Sequence, residues 1–149
     1  MLFNPSPADV RRFFCTVYAK ARAGQPLQPI ETLASLWIDE HPQYHAELAD
    51  LDAALRRLTT DAAGAPATDS GAFLHLSLHV AISEQCSIDQ PRGIRQAVEL
   101  LSHRLDGLHD AHHQAMDCLQ EMLFDAQRYR RAPDGDAYVA AVQRRATRD

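Results

Sequence analysis

The sequence predicts an all-α fold, a bundle of about five to seven helices forming a single domain over residues 1–149. Three observations lead there. Apolar residues recur three and four apart along most of the chain, the period of an amphipathic helix. Serine, aspartate and proline stand where those periodic stretches begin. Eight histidines include the pairs His41/His45, His75/His79 and His109/His113, each four apart. Random placement gives about 0.4 such pairs, and the spacing sets two side chains on one helix face.

The first helix starts at Ser6-Pro7-Ala8-Asp9: a capping serine, a first-turn proline and an acid at the positive end of the helix dipole. Val10, Phe13, Phe14, Val17, Tyr18 and Ala21 form its apolar face. A second helix runs from about Pro29 to Glu40 with Ile30, Leu33, Ala34, Trp37 and Ile38 inward. Pro42 disfavours helix at His41, so the chain turns and a third helix carries Tyr44, Leu48, Leu51, Leu55 and Leu58. His45 lies beside that stripe. Residues 59–71, small and polar, are expected to be a flexible loop.

Phe73 to Cys86 (FLHLSLHVAISEQC) is the most apolar run in the sequence, yet it holds His75 and His79. Its strict alternation also suits a strand. No other segment offers a partner strand, and a lone strand leaves its backbone groups unpaired, so a helix buried on most sides is expected. The choice decides the chemistry. On a helix the two imidazoles stand about 6 Å apart; on a strand they stand about 13 Å apart and cannot share an ion.

Asp89 and Pro91 re-cap a fifth helix with Ile94, Ala97, Val98, Leu101 and Leu105 inward. The sixth and longest, Leu108 to Arg130, buries Leu108, Ala111, Ala115, Leu119, Met122, Leu123 and Ala126. His113 and Asp117 fall far from the centre of that face, and His112 lies nearer to it than His113. Residues 132–149 make a turn, a short C-terminal helix and a tail.

Hydrophobic residues make up 46% of the chain and charged ones 23%, the balance of a globular protein. A net charge of −5 argues against nucleic acid or an anionic membrane as partner. No stretch approaches a membrane-spanning length. The opening residues lack the basic and apolar regions of a leader. Cys15, Cys86 and Cys118 are odd in number and far apart, which suits free thiols in a reducing compartment. A cytoplasmic location is therefore expected. Neither a G-x-S-x-G elbow nor a glycine-rich phosphate loop is present, which removes the commonest nucleophilic and nucleotide-binding designs.

The histidines carry the functional reading. Imidazole is the commonest transition-metal ligand, and a pair at i, i+4 aims two nitrogens at one point. Bundles house metals between facing helices through inward histidines and carboxylates. The expected ligands are His75 and His79 first, His109 and His113 next, then His45, His41 and Asp117. Zinc, iron, manganese and nickel all suit imidazole plus carboxylate. The alternative is a non-enzymatic interaction or oligomerisation module, such as a homodimer, whose histidines are structural.

The segments MLFNPSPADVRRFFC, WIDEHPQYH, FLHLSLHVAISEQCSIDQPRGI and HDAHHQAMDCLQEMLFDAQR together resemble the bacterial family DUF1841, a domain of unknown function, from Phe3 to about Arg128. The resemblance implies a mostly helical cytoplasmic protein and brings no activity. It also implies a glutamate where this chain has Asp117, one methylene shorter in reach. A looser analogy runs to hemerythrin-like and DinB-like bundles, which hold metals with histidines on facing helices.

Overall fold

The computed structural model describes residues 6–64 and 71–147, and among them every regular element is helical. The described residues form eight α-helices rather than five to seven: α1 (Pro7–Arg22), α2 (Pro29–Asp39), α3 (His45–Leu48), α4 (Leu51–Gly64), α5 (Ala72–Ile88), α6 (Ile94–Leu105), α7 (Leu108–Arg128) and α8 (Gly135–Thr147). A 3-10 turn, Pro42–Tyr44, precedes α3. The chain divides into two compact units, Met1–Val80 and Ala81–Asp149. No helix among the described residues is long and apolar enough to cross a membrane.

In the first unit, α1 begins with a reciprocal cap. Asp9 N–H donates to Ser6 Oγ at 3.1 Å and Ser6 N–H donates to Asp9 Oδ2 at 3.3 Å. At the start of α2, Glu31 accepts from the backbone N–H of Gln28 at 2.8 Å and from Lys20 Nζ of α1 at 2.9 Å. The Gln28 and Lys20 hydrogen bonds hold its carboxyl below the usual range. Phe14, Val17, Ala34, Ile38, Leu48, Ala54, Phe73, Leu76 and Val80 close one apolar core, with Trp37 at its edge.

The third predicted helix is split. The N–H of Ala53 donates to Asp50 Oδ1 at 3.0 Å, so Asp50 caps a new start and leaves α3 a single turn. The loop expected over 59–71 begins later than the sequence suggested. Ala62 and Ala63 are strong helix formers, and α4 runs on to Gly64. The remainder of that expected loop, 65–70, lies outside the described residues.

The ambiguous stretch is α5, a helix. Between Ala72 and Cys86 only Leu74 is exposed, so the apolar residues surround the axis instead of lining one face. That all-round burial is why alternation could pass for a strand.

In the second unit α6, α7 and α8 pack on one another around Ile94, Leu101, Ala111, Ala115, Leu119 and Val142, all buried. Asp89 serves α6 from a short distance upstream. Its Oδ1 accepts from the N–H groups of Gly93 and Arg95, each at 3.1 Å. The Arg95 guanidinium donates in turn to the carbonyls of Cys86 and Ser87 at the end of α5, at 2.6 and 2.7 Å. Gly93 caps α6 at φ +96°, where a Cβ would also meet Val139 Cγ1 at 3.3 Å. The Tyr138 hydroxyl donates to Gln85 Oε1 at 2.6 Å, tying α8 to the end of α5.

Leu76 and Leu101 are fully buried, one in each unit. Leu76→Ala and Leu101→Ala are each expected to cost about 2–5 kcal/mol, read from the midpoint of urea denaturation at unchanged slope.

Candidate metal centre

The centre is built from the end of α2 and the first two turns of α5. Pro42 keeps His41 out of helical geometry, at φ −128° and ψ 65°, and this turns the ring back onto the end of α2. His41 Nδ1 lies 2.7 Å from the carbonyl oxygen of Trp37. A carbonyl only accepts, so Nδ1 carries the proton and Nε2 of the neutral ring presents a lone pair. This second-side hydrogen bond is the usual means of orienting an imidazole ligand.

His75 and His79 lie one turn apart on α5. Their Nε2 atoms are 3.1 Å apart, and His75 Nε2 is also 3.1 Å from His41 Nε2. Three ring nitrogens therefore converge, with all their ligand atoms within 4.8 Å of one another. The single proton that His75 Nε2 can carry cannot make a linear bond to both neighbours. A cation among the three satisfies every lone pair. Ligand nitrogens 2.0–2.1 Å from a shared ion stand about 2.9 Å apart at right angles and about 3.4 Å apart in a tetrahedron. Both observed spacings fall in that interval.

Aromatic rings hold the imidazoles. The Trp37 ring stacks on His79 with centroids 4.0 Å apart and planes 15° apart. The Tyr44 ring lies parallel to His41 at 5.2 Å. His41 and His79 are 2% and 0% exposed, while His75 is half-buried and marks the open side.

His45 does not join them. Its Nε2 lies 2.9 Å from the Ile38 carbonyl and its ring tilts against Tyr18 at 5.2 Å. The spacing of His41 and His45 suggested a shared face, but that inference needs one unbroken helix. Here Pro42 and the 3-10 turn stand between them and send the rings apart.

In the second unit, α7 sets His109 and His113 edge to face, with centroids 4.5 Å apart and ligand atoms within 4.8 Å of each other. His112 faces inward at 2% exposure, and His113 faces out. Burial, aided by His109 and His113, pushes the His112 imidazole down to about 3, so it stays neutral as a core residue. Asp117 lies one turn beyond His113, where its exposed carboxylate accepts from Arg145 at 3.1 Å. It is not among the metal-competent side chains of the described residues.

Trp37 and Tyr44 are the site residues that sequence reasoning missed. The signal was present: Trp37 precedes His41 by one helical turn and Tyr44 follows it by three residues. Trp37 was assigned wholly to the apolar stripe of its helix, and Tyr44 to that of the next.

The cysteines offer no rival chemistry. Burial pushes all three thiols up, Cys86 to about 11.

The family model described as a domain of unknown function (DUF1841) matches residues 6–144. No curated protein and no solved structure matches the chain.

At pH 8 the thiolate fraction of Cys86 is expected to be about 100-fold below that of a peptide cysteine. Alkylation by iodoacetamide, followed by mass spectrometry, is expected to label native Cys86 correspondingly slowly and the urea-unfolded chain at the ordinary rate.

Proposed function

The chain belongs to the DUF1841 family, and we propose that it binds a transition-metal ion through His41, His75 and His79, with His109 and His113 on α7 as a separate pair of candidate donors in the second unit. The observation that carries this reading is the pair of 3.1 Å separations among the Nε2 atoms of His41, His75 and His79. The Nδ1–carbonyl bond of His41, which leaves Nε2 as the donor, supports it further. For His109 and His113 the support is their edge-to-face pairing on consecutive turns of one helix. The analogy to hemerythrin-like and DinB-like bundles points the same way. His45 and Asp117 stand outside the ligand set because each is engaged elsewhere.

Neutral nitrogen donors suit zinc, iron or nickel; manganese, which the sequence allowed with a carboxylate in the set, is disfavoured with the other oxygen-seeking ions. A metal held this way supplies Lewis acidity at any position that the protein leaves open. The residues do the rest: Trp37 fixes two of the rings, and the apolar wall around His79 excludes water from one side of the ion.

A second reading, self-association without metal, draws on exposed apolar groups on one stretch of α7. Leu123 is 45% exposed and Phe124 is 60% exposed. Sedimentation at several concentrations reads this directly, and it does not compete with metal binding for residues.

Protein purified without an affinity tag is expected to carry about one equivalent of a first-row transition metal by elemental analysis. The double substitution His75→Ala/His79→Ala is expected to bring that below about 0.1 equivalent with the helical circular dichroism retained. His45→Ala is expected to leave binding intact. Retention of metal by the His75/His79 variant sinks the reading.

Protons compete with metal for imidazole nitrogen. Affinity is therefore expected to fall as pH drops through the ordinary histidine range and to be recovered on raising it. Equilibrium dialysis across that range measures it.

A further inference from the structure

A hollow of about 550 Å³ lies within the first unit, between α1 and the junction of α3 with α4. Cys15, Tyr18, Ala19 and Arg22 line it from α1, and Leu48 and Leu51 line it from the junction. We propose that it binds a small amphipathic anion, an aliphatic carboxylate of about the length of octanoate, with its chain on the apolar floor and its carboxylate on Arg22. The proposal is independent of metal. The volume falls in the ordinary range of small-molecule sites, about 300–1,000 Å³.

The sequence makes the hollow. Residues 15, 18, 19 and 22 recur three and four apart and so share one face of α1. The Asp50 cap separates α3 from α4, with Leu48 before the break and Leu51 after it. Ala19 and Ala49 end at Cβ, which leaves open the space that larger side chains would fill. Cys15 and Leu48 are buried and form the floor, while Tyr18 and Leu51 are half-buried along the sides. Burial pushes the Cys15 thiol up, so the floor carries no charge near neutral pH.

Charge enters at one end. Arg22 is the last residue of α1, seven residues beyond Cys15 and about 10 Å along the axis. Its Nη1 donates to the Tyr18 hydroxyl at 3.4 Å, and its guanidinium lies over the Tyr18 ring at 5.5 Å from the centroid. Neither contact neutralises it, and no carboxylate pairs with it among the described residues. Arg12, Lys20 and Arg57 of the same unit are paired, with Asp9, Glu31 and Glu47. The two carboxylates that act on Cys15 are engaged as well: Glu47 with Arg57, and Asp50 with the N–H of Ala53. An apolar trough thus ends in one unpaired cation, beside a phenol that accepts from Arg22 and keeps its own proton to donate. That combination selects an aliphatic body with one terminal negative charge. A cation is repelled, and an uncharged chain forgoes the charge-assisted hydrogen bond.

Octanoate is the probe, titrated into the full chain while amide NMR spectra are followed. Saturable shifts centred on residues 15–22 and 48–51 are expected. The Kd is expected to fall about two- to fourfold for each methylene added from butanoate to octanoate. Arg22→Gln is expected to raise the octanoate Kd about tenfold and to leave that of octanol unchanged. Ala19→Phe, at an exposed position, fills the hollow and is expected to abolish the shifts with the melting temperature retained. Absence of octanoate binding overturns the proposal, and so does octylamine binding as tightly as octanoate or a Kd indifferent to chain length. Octanoate binding that Ala19→Phe leaves unchanged places the ligand elsewhere and overturns the site. Failure of octanoate to bind, together with a dimer in sedimentation that Ala19→Phe disperses, gives the hollow to a second copy of the chain instead.

Discussion

A histidine ring has two nitrogens, and the 2.7 Å bond from His41 Nδ1 to the Trp37 carbonyl decides which of them faces the cluster. The other features of the centre follow from that choice. The carbonyl is available because α2 ends at Asp39, and the last turn of any helix leaves carbonyls without intrahelical partners. The ring can reach back to it because Pro42 disfavours helical geometry at His41, which stands at φ −128° and ψ 65°. A helix terminus thus supplies both the acceptor and the bend, and one proline couples the two. The same arrangement offers the Ile38 carbonyl to His45, which takes it with its Nε2 and so leaves the cluster.

α5 contributes the opposite kind of constraint. It is apolar around most of its circumference, so its two histidines have little water to turn to and must find partners within the protein. Leu76 and Val80 anchor the helix in the first core, which fixes the faces on which His75 and His79 emerge. The apolar run and the polar pair are one device: burial on both flanks removes the rotational freedom that would let the imidazoles drift apart.

The helical class and most boundaries were legible because capping residues and period operate locally. Ser6 with Asp9, and Pro29, act within a turn of where they stand, whereas the fifth helix, expected to be capped by Asp89 with Pro91 just inside, starts at Ile94 after Gly93. The extra helix was missed because Asp50 lies inside an unbroken apolar stripe, and a stripe does not reveal that a cap interrupts it. In the site, His75 and His79 could be read from spacing alone, since they share an uninterrupted helix. His41 and His45 could not, since identical spacing across a proline means a different geometry. Asp117 had the right distance from His113 along the chain, but its arginine partner lies a helix away in the sequence, beyond what periodicity reports. Trp37 escaped notice because its contribution to His41 is a backbone oxygen, which every residue possesses.

Trp37 is also the only tryptophan in the chain. Its indole lies 4.0 Å from the His79 ring, in van der Waals contact across nearly parallel faces. A protonated imidazole, or one bound to a paramagnetic ion, quenches an indole at that range, whereas a neutral one does so weakly. The protein therefore contains a single tryptophan, which can be excited apart from its four tyrosines, placed against one of its own candidate ligands. Its emission reads the electronic state of His79 without a label, so the chemistry of the cluster can be followed in the unmodified chain.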